Sequence, residues 1–152
     1  MSNYFSPISL TGPYFYECDM YVSRDAPKSE LNLIMNLVLP ETEAFIEEDG
    51  KLLLHHDMHV NVKLTEGDHE ETAREAMHIN LGMTGIVALP LNDQVDRAEA
   101  EETLRLNAIS LFYASARSFI EMNTAQSPME RFTIPPINPN EFLRMSEKTS
   151  EQ

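Results

Sequence analysis

The sequence predicts an α+β fold in which antiparallel strands come first and helices follow. In the first half of the chain, apolar and polar residues alternate with a period of two, which is typical of half-buried strands. A long segment at roughly 96–123 instead repeats its apolar residues at helical spacing. Strands followed by helices favour antiparallel pairing with the helices on one face. Because no repeat or long linker divides the chain, residues 1–145 are predicted to form one domain and 146–152 a disordered, acidic and polar tail.

Four strands are expected from this alternation. The second, third and fourth strands correspond to residues 31–39, 52–64 and 77–89. In the first strand, one face holds Tyr14, Tyr16, Cys18, Met20 and Val22, and the opposite face holds Phe15, Glu17, Asp19 and Tyr21. The turn signals that separate the strands are Asp25-Ala26-Pro27, Pro40, Glu47-Glu48-Asp49-Gly50 and Glu66-Gly67-Asp68.

The long helix has two apolar stripes rather than one. The first stripe is Leu104, Ala108, Leu111, Phe112, Phe119 and Met122, and the second is Leu106, Ile109, Tyr113, Ala116 and Ile120. At about 100° per residue the two stripes lie roughly 140° apart around the axis. A helix that covers one sheet needs a single stripe, so the second stripe predicts a contact with another copy of the chain.

The helix ends are marked by capping residues and prolines. Asp96 is expected to cap the long helix, with Glu99 as its capping-box partner. Pro128 stops this helix or follows its end. Pro135, Pro136 and Pro139 then form a rigid extended turn, after which Asn140 is expected to cap a short last helix at residues 141–145.

The composition limits the kinds of partner. Eleven basic residues against 25 acidic ones give a formal net charge of −14, which disfavours nucleic acid and anionic membranes and favours basic partners, or serves solubility alone. Cys18 is the single cysteine, which excludes an intramolecular disulfide and a cysteine-based zinc cluster. A cytoplasmic location is expected, because neither a signal-peptide pattern nor a membrane-spanning apolar run is present.

One polar strand face is a candidate metal site. His55, Asp57 and His59 share a face of the third strand, and His78 on the fourth strand is a possible fourth ligand. The alternative is the solvated face of an antiparallel sheet, because strand residues two apart are roughly 6–7 Å apart and splay across the pleat. No phosphate loop, nucleophile elbow or paired-carboxylate motif stands out, so neither an enzyme nor a cofactor is predicted. The nine methionines suit an adaptable apolar surface or ordinary core filling.

Several short motifs follow one another in a recognisable order. They are Ser23-Arg24-Asp25-Ala26-Pro27, Thr84-Gly85-Ile86, Ala116-Arg117-Ser118-Phe119-Ile120, Phe132-Thr133-Ile134 and Pro135-Pro136-Ile137-Asn138. They resemble, in the same order, the Ser-Phe-Glu-Ala-Pro, Gly-Gly-Ile, Ala-Arg-x-x-Ile, apolar-x-apolar and x-Pro-Val-Asn segments of SecB, the bacterial protein-export chaperone. The resemblance covers most of the chain.

The resemblance implies a SecB-like fold: a four-stranded antiparallel sheet with a long helix and a short C-terminal helix on one face. It also implies a homotetramer, built as a dimer of dimers, that binds unfolded or nascent polypeptides in apolar grooves without ATP. The interface between copies would be formed by Leu106, Ile109, Phe112, Tyr113, Ala116, Phe119 and Ile120. The candidate client-binding residues are Tyr14, Phe15, Tyr16, Phe132, Ile134, Ile137 and Phe142.

Two departures from the family leave its export role open. SecB docks the export motor SecA on an acidic outer sheet face, and of the corresponding positions Tyr21, Asp25, His78 and Asn80 only Asp25 keeps the charge. The connection at Lys28-Ser29-Glu30 is also short where the family has a long aromatic loop. The candidate partner-docking face is Glu17, Asp19, Asp25, Asp57, His78 and Asn80. The alternatives are a dedicated chaperone for one partner, of the toxin–antitoxin type, and a metal-binding protein.

Overall fold

The chain folds into one antiparallel sheet with two helices, which confirms the predicted α+β fold class. The computed structural model describes residues 8–40, 43–67 and 73–150, without the side chains of 147–150. Its elements are β1 Ser9–Val22, β2 Leu31–Val38, β3 Ala44–Glu48, β4 Lys51–Glu66, β5 Arg74–Pro90, α1 Arg97–Thr124 and α2 Pro139–Ser150. The expectations for Asp68 in the turn Glu66-Gly67-Asp68 and for the last two residues of the tail lie outside the described residues.

The described sheet has five strands, where four were predicted. Its order is β1-β5-β4-β2, and β3 also pairs with β4, next to β2. The predicted turn Glu47–Gly50 shrinks to Asp49 and Gly50, because Glu47 and Glu48 pair with Leu52 and Lys51. Asp49 and Gly50 have φ angles of 50° and 71°, which suits the two-residue hairpin turns formed by Asp-Gly sequences. The short run around Phe45 is thus a strand of its own.

The core lies between α1 and the two central strands. The long alternation of β4 and β5 places apolar side chains on the helix side of the sheet, where α1 packs against both strands. The fully buried large side chains there are Leu52, Leu54, Met58, Leu64, Met77, Ile79, Leu81, Met83, Leu104, Ile109, Phe112 and Ile120. The alternation predicted the buried face of β4 and β5 correctly. These strands are paired on both edges and buried on one face, which strongly specifies their pairing register.

The second stripe of α1 is covered by the chain itself. After the helix ends, residues 132–135 return along it. The Phe132 amide donates a 3.0 Å hydrogen bond to Oγ1 of Thr124, Arg117 Nε donates a 3.0 Å bond to the Ile134 carbonyl, and the Tyr113 hydroxyl donates to the Pro135 carbonyl. Ile134 is fully buried in the core. The inference that this stripe needs a second copy was therefore wrong.

The predicted cap of α1 is confirmed, whereas the last helix is longer than predicted at both ends. Asp96 caps α1 by accepting a hydrogen bond from the Glu99 amide, as expected. The second helix, however, begins at Pro139 and reaches Ser150, well beyond the predicted 141–145 and into the segment predicted as a tail. Asn138, rather than Asn140, holds its start, since its carbonyl accepts from the Phe142 amide and its side chain from the Asn140 amide. Pro139 favours this earlier start, because its fixed φ suits a first helical position.

A β-bulge in β1 reverses the predicted sides of its aromatic residues. Phe15 pairs with Met83 and Glu17 with Gly82, so Tyr16 is the extra residue between them. Phe15 consequently lies on the helix side, while Tyr14 and Tyr16 lie on the outer side. Alternation within one strand cannot reveal an inserted residue.

Candidate functional site

A largely apolar concave surface lies between β1 and α1, and we call it the β1–α1 groove. It is lined by Leu10, Phe15, Leu111, Ala114, Ser115, Ser118, Phe119 and Met122, and encloses about 440 Å³. The rings of Phe15 and Phe119 stack with centroids 4.9 Å apart, and Met122 is three-quarters exposed. Small side chains from α1 form the floor, so another helix or strand could approach closely here. Such an exposed apolar surface is typical of a contact site.

Most of the predicted oligomer interface is not available for contact. Ile109, Phe112, Tyr113, Ala116 and Ile120 are buried within the single chain, so their assignment to an interface was wrong. Leu106 and Phe119 remain half-buried. Phe119 lies in the β1–α1 groove, which is therefore the surface on which the prediction of self-association now depends.

The second exposed apolar surface is the edge of the sheet at β2. Among the described strands, β2 is the one without a charged residue, and no described strand pairs with its outer edge. Leu33, on the helix side, is 40% exposed, and Val38, on the outer side, is 49% exposed. Proteins usually protect a free edge with lysine, proline or a bulge, and β2 contains none of these. We call this surface the β2 edge.

The predicted client-binding residues do not form one site. Phe15 lies in the β1–α1 groove, while Tyr14 and Tyr16 are exposed on the outer face. Phe132, Ile137 and Phe142 are partly buried against the core. Ile134 has no exposed surface, so its inclusion was wrong: it holds the returning segment against α1.

The predicted docking residues do lie together, with one exception. Glu17, Asp19, Asp57, His78 and Asn80 belong to the outer side of the sheet, as the register of β1, β5 and β4 shows. Asp25 instead follows β1 in a connection, where its carboxylate lies 3.5 Å from Arg74. We call the side of the sheet opposite α1 the outer face.

Two histidines on the outer face are held by acidic and aromatic neighbours. His78 contacts Glu75 through Nδ1 and lies 3.3 Å from Asp19 through Nε2; the hydrogen bond to Glu75, above all, raises the pKa of His78. The Tyr16 hydroxyl lies 2.6 Å from Nε2 of His59, and burial, followed by the nearby Asp57 charge, raises the pKa of Tyr16. The Tyr16 ring lies over Gly82, where a Cβ would come within 2.9 Å of it.

The candidate metal ligands do not converge. Among the described residues, no group of three or more histidine, cysteine, aspartate or glutamate side chains is placed to hold a metal ion. His59 is occupied by Tyr16 and by Glu17, whose carboxylate is 3.8 Å away. In this fold His55, Asp57 and His59 are therefore not brought together, and the splay of strand side chains explains their separation.

Sequence reasoning missed the surfaces that the tertiary fold assembles. Ala114, Ser115 and Ser118 carry no apolar signal, and they matter because β1 lies beside them. The sequence predicted β2 as a strand but did not show that it is an edge strand, because this depends on the strand order of the sheet. Its lack of charge, in a chain that is 24% charged, was the available signal.

Comparison with known proteins supports the fold and leaves the sequence family open. No protein-family model and no curated protein matches this chain in sequence. Its structure is similar to that of the Mycobacterium tuberculosis SecB-like chaperone Rv1957 in complex with a ChAD peptide from the HigA1 antitoxin Rv1956. The TM-score is 0.58 at 9% identity, over 86% of this chain and 90% of that chain. The chain therefore has a SecB-like fold. No described helix is long and apolar enough to cross a membrane.

Proposed function

We propose that this chain is a SecB-like chaperone that holds extended segments of partner polypeptides without using ATP. The SecB-like fold supports the proposal, and the solved structure that it resembles contains a peptide from an antitoxin. The single observation that carries it is the β2 edge, which is apolar and uncharged. An open edge of this kind offers a bound segment main-chain hydrogen bonds as well as side-chain contacts.

Binding at the β2 edge would extend the sheet by one strand. Main-chain groups of β2 that have no partner within the described sheet would pair with those of the client. Because side chains alternate along a strand, the client would contact Leu33 on the helix side and Ile34 and Val38 on the outer side. The edge therefore favours uncharged segments that carry aliphatic residues on both faces of the strand.

The proposed client range is narrow, and one dedicated partner fits better than general export. The connection from β1 to β2 is short and pinned: the Glu66 carboxylate accepts hydrogen bonds from the amides of Lys28 and Ser29 and lies 3.3 Å from Arg74. A connection held in this way leaves little room to wall a wide groove. The departures at the positions that dock SecA in the related family favour the same conclusion. We place this activity in the cytoplasm.

Self-association through the β1–α1 groove is the second part of the proposal. The groove exposes Phe15, Phe119 and Met122 on an acidic chain. A second copy would bury this surface in a two-fold contact, since such a contact uses the same patch on both chains. The dimer or dimer of dimers would thus form through a surface other than the β2 edge.

The test measures aggregation suppression without ATP. A chemically unfolded model protein is diluted into buffer with stoichiometric amounts of the chain, and light scattering is followed. Because the proposed client range is narrow, we expect the wild type to suppress aggregation of model proteins that have uncharged, aliphatic strand segments. Leu33→Lys, which places a charge on the β2 edge, should lose this suppression. Ile46→Lys, at a similarly exposed position of β3, is the matched control and should remain active.

The self-association step is tested separately by measuring mass. Phe119→Glu should lower the molecular mass seen by light scattering, while its circular dichroism spectrum stays unchanged. A monomeric wild type would refute the self-association proposal, and equal activity of Leu33→Lys and the wild type would refute the role of the β2 edge.

A further inference from the structure

A row of amide side chains crosses the outer face of the sheet. The register pairs Asn36 of β2 with Asn61 of β4, Asn61 with Asn80 of β5, and Asn80 with Asp19 of β1. Directly paired residues project on the same side of a sheet, and neighbouring strands lie about 4.8 Å apart. The three amides and the carboxylate therefore form one line perpendicular to the strands.

The row lies on the floor of an open trough. The trough measures about 440 Å³ and is lined by Asp19, Ile34, Asn36, Asn61, Val62, Lys63, Glu75, His78 and Asn80. It is distinct from the β1–α1 groove, which lies on the helix side of the sheet. Its lining combines polar side chains with Ile34 and Val62.

The amides of this row are available to a partner. Within the described part of the chain, Asn36 and Asn61 form no side-chain hydrogen bond, and Asn80 makes one long bond of 3.5 Å to Asp19. Side-chain amides in a sheet row can bond to one another, yet here they do not. Each therefore presents both a donor and an acceptor to the trough.

The charges around the trough are unevenly placed. Asp19 and Glu75 lie at the β1 and β5 end, joined through His78. Lys63 of β4 forms no ion pair with any described residue. His78 can balance at most one of the two carboxylate charges, so this end still suits a basic side chain, while the Lys63 ammonium suits an acidic group.

We propose that the trough binds an extended polypeptide segment across the strands, with the three asparagines pairing with its main chain and Asp19 and Glu75 receiving a basic side chain. This inference rests on the proposed polypeptide-binding function and adds a second site to it. A carboxamide matches a peptide group, because it can accept from an N–H and donate to a C=O at once. Such pairing is independent of sequence, so the carboxylates supply the selectivity, through charge-assisted hydrogen bonds.

The test uses short synthetic peptides of alternating threonine and lysine, observed by NMR on the isotope-labelled full chain. We expect chemical-shift changes in the side-chain NH₂ signals of Asn36, Asn61 and Asn80. Asn61→Leu should weaken binding roughly tenfold, because it removes main-chain hydrogen bonds. Asn123→Leu is the matched control, since Asn123 lies at the end of α1 and its amide bonds to the Phe119 carbonyl.

Two modified peptides separate main-chain recognition from charge alone. Methylation of alternate main-chain nitrogens removes donors and should abolish binding, and glutamate in place of lysine should do the same by repulsion from Asp19 and Glu75. Equal binding of the methylated peptide would overturn the proposal in favour of a purely electrostatic contact. Shifts confined to residues of the β1–α1 groove would also overturn it.

Failure of the trough proposal can be distinguished from failure of the proposed chaperone function. Asn61→Leu leaves the β2 edge intact, so it should retain aggregation suppression even while it loses the lysine peptide. Leu33→Lys should show the opposite pattern. If Asn61→Leu and the wild type bind the lysine peptide equally, the trough is not a peptide site, whatever the aggregation assay gives.

Discussion

His56 makes the stability of this fold sensitive to acid, because its imidazole is buried without a partner. Its side chain is 2% exposed, and its ring packs edge-on against Phe112 with centroids 4.8 Å apart. Neither ring nitrogen has a hydrogen-bond partner among the described residues. Burial lowers the pKa of His56 to about 4, and the nearby Asp57 charge opposes this only in part.

The sign of the effect follows from the lowered pKa. Below the ordinary value of 6.5 the unfolded chain takes up a proton at this imidazole, whereas the folded chain does not until the pH approaches 4. The unfolded state therefore gains stability as the pH falls through this window. The difference between these two pKa values corresponds to about 3 kcal/mol of unfolding free energy, which is lost progressively between pH 6.5 and 4.

Urea unfolding at a series of pH values and a fixed protein concentration measures this loss. The His56→Leu variant should match or exceed the wild type above pH 7, since it removes an unpaired buried polar group, and should lose much less stability towards pH 4. His55→Leu is the matched control: the neighbouring side chain is exposed on the outer face, so the slope should stay that of the wild type. If the curves of the wild type and His56→Leu run parallel from pH 7 to 4, the reasoning is refuted.

Three further substitutions test contacts that position the binding surfaces. Gly85→Ala should cost about 1–3 kcal/mol in urea unfolding, since its Cβ would lie 2.7 Å from the Thr11 carbonyl oxygen and 3.0 Å from Phe112; an unchanged midpoint would contradict this close packing. Asp96→Ala should remove the α1 cap and about 1 kcal/mol, while the exposed Asp93→Ala should not. Tyr113→Phe should remove the hydrogen bond to the Pro135 carbonyl and lower the free energy of unfolding by about 1 kcal/mol. Tyr21→Phe is the neutral comparison, and equal midpoints for the two tyrosine variants would mean that this bond does not hold the returning segment.

The parts of the fold that depend on local pattern could be predicted from the sequence. The alternation of β4 and β5 identified their buried face, and Asp96 identified the start of α1, because these signals act within a few residues. The partner of the second α1 stripe could not be found in this way. That partner is Ile134, in the segment that runs back along α1 after the helix ends. The periodicity of a helix gives no information on which later segment will pack against it.

The candidate surfaces depended still more on tertiary structure. The face on which Tyr16 lies was assigned wrongly, since a bulge adds one residue without changing the composition of β1. The row of Asn36, Asn61 and Asn80 comes from three strands, so it exists only once the register is known. In the sequence, each of these asparagines by itself is typical of a solvent-facing position in a half-buried strand.

The order of strands separates the surfaces that we propose for assembly and for binding. In the order β1-β5-β4-β2, the two edge strands lie at opposite ends of the sheet. A contact between copies through the β1–α1 groove would therefore leave the β2 edge of each copy pointing away from the contact. The outer face would also remain open, because α1 packs on the other side of the sheet. Since no residue of the groove belongs to the β2 edge, assembly and client capture need not compete, and each protomer of an assembly would keep its own binding edge.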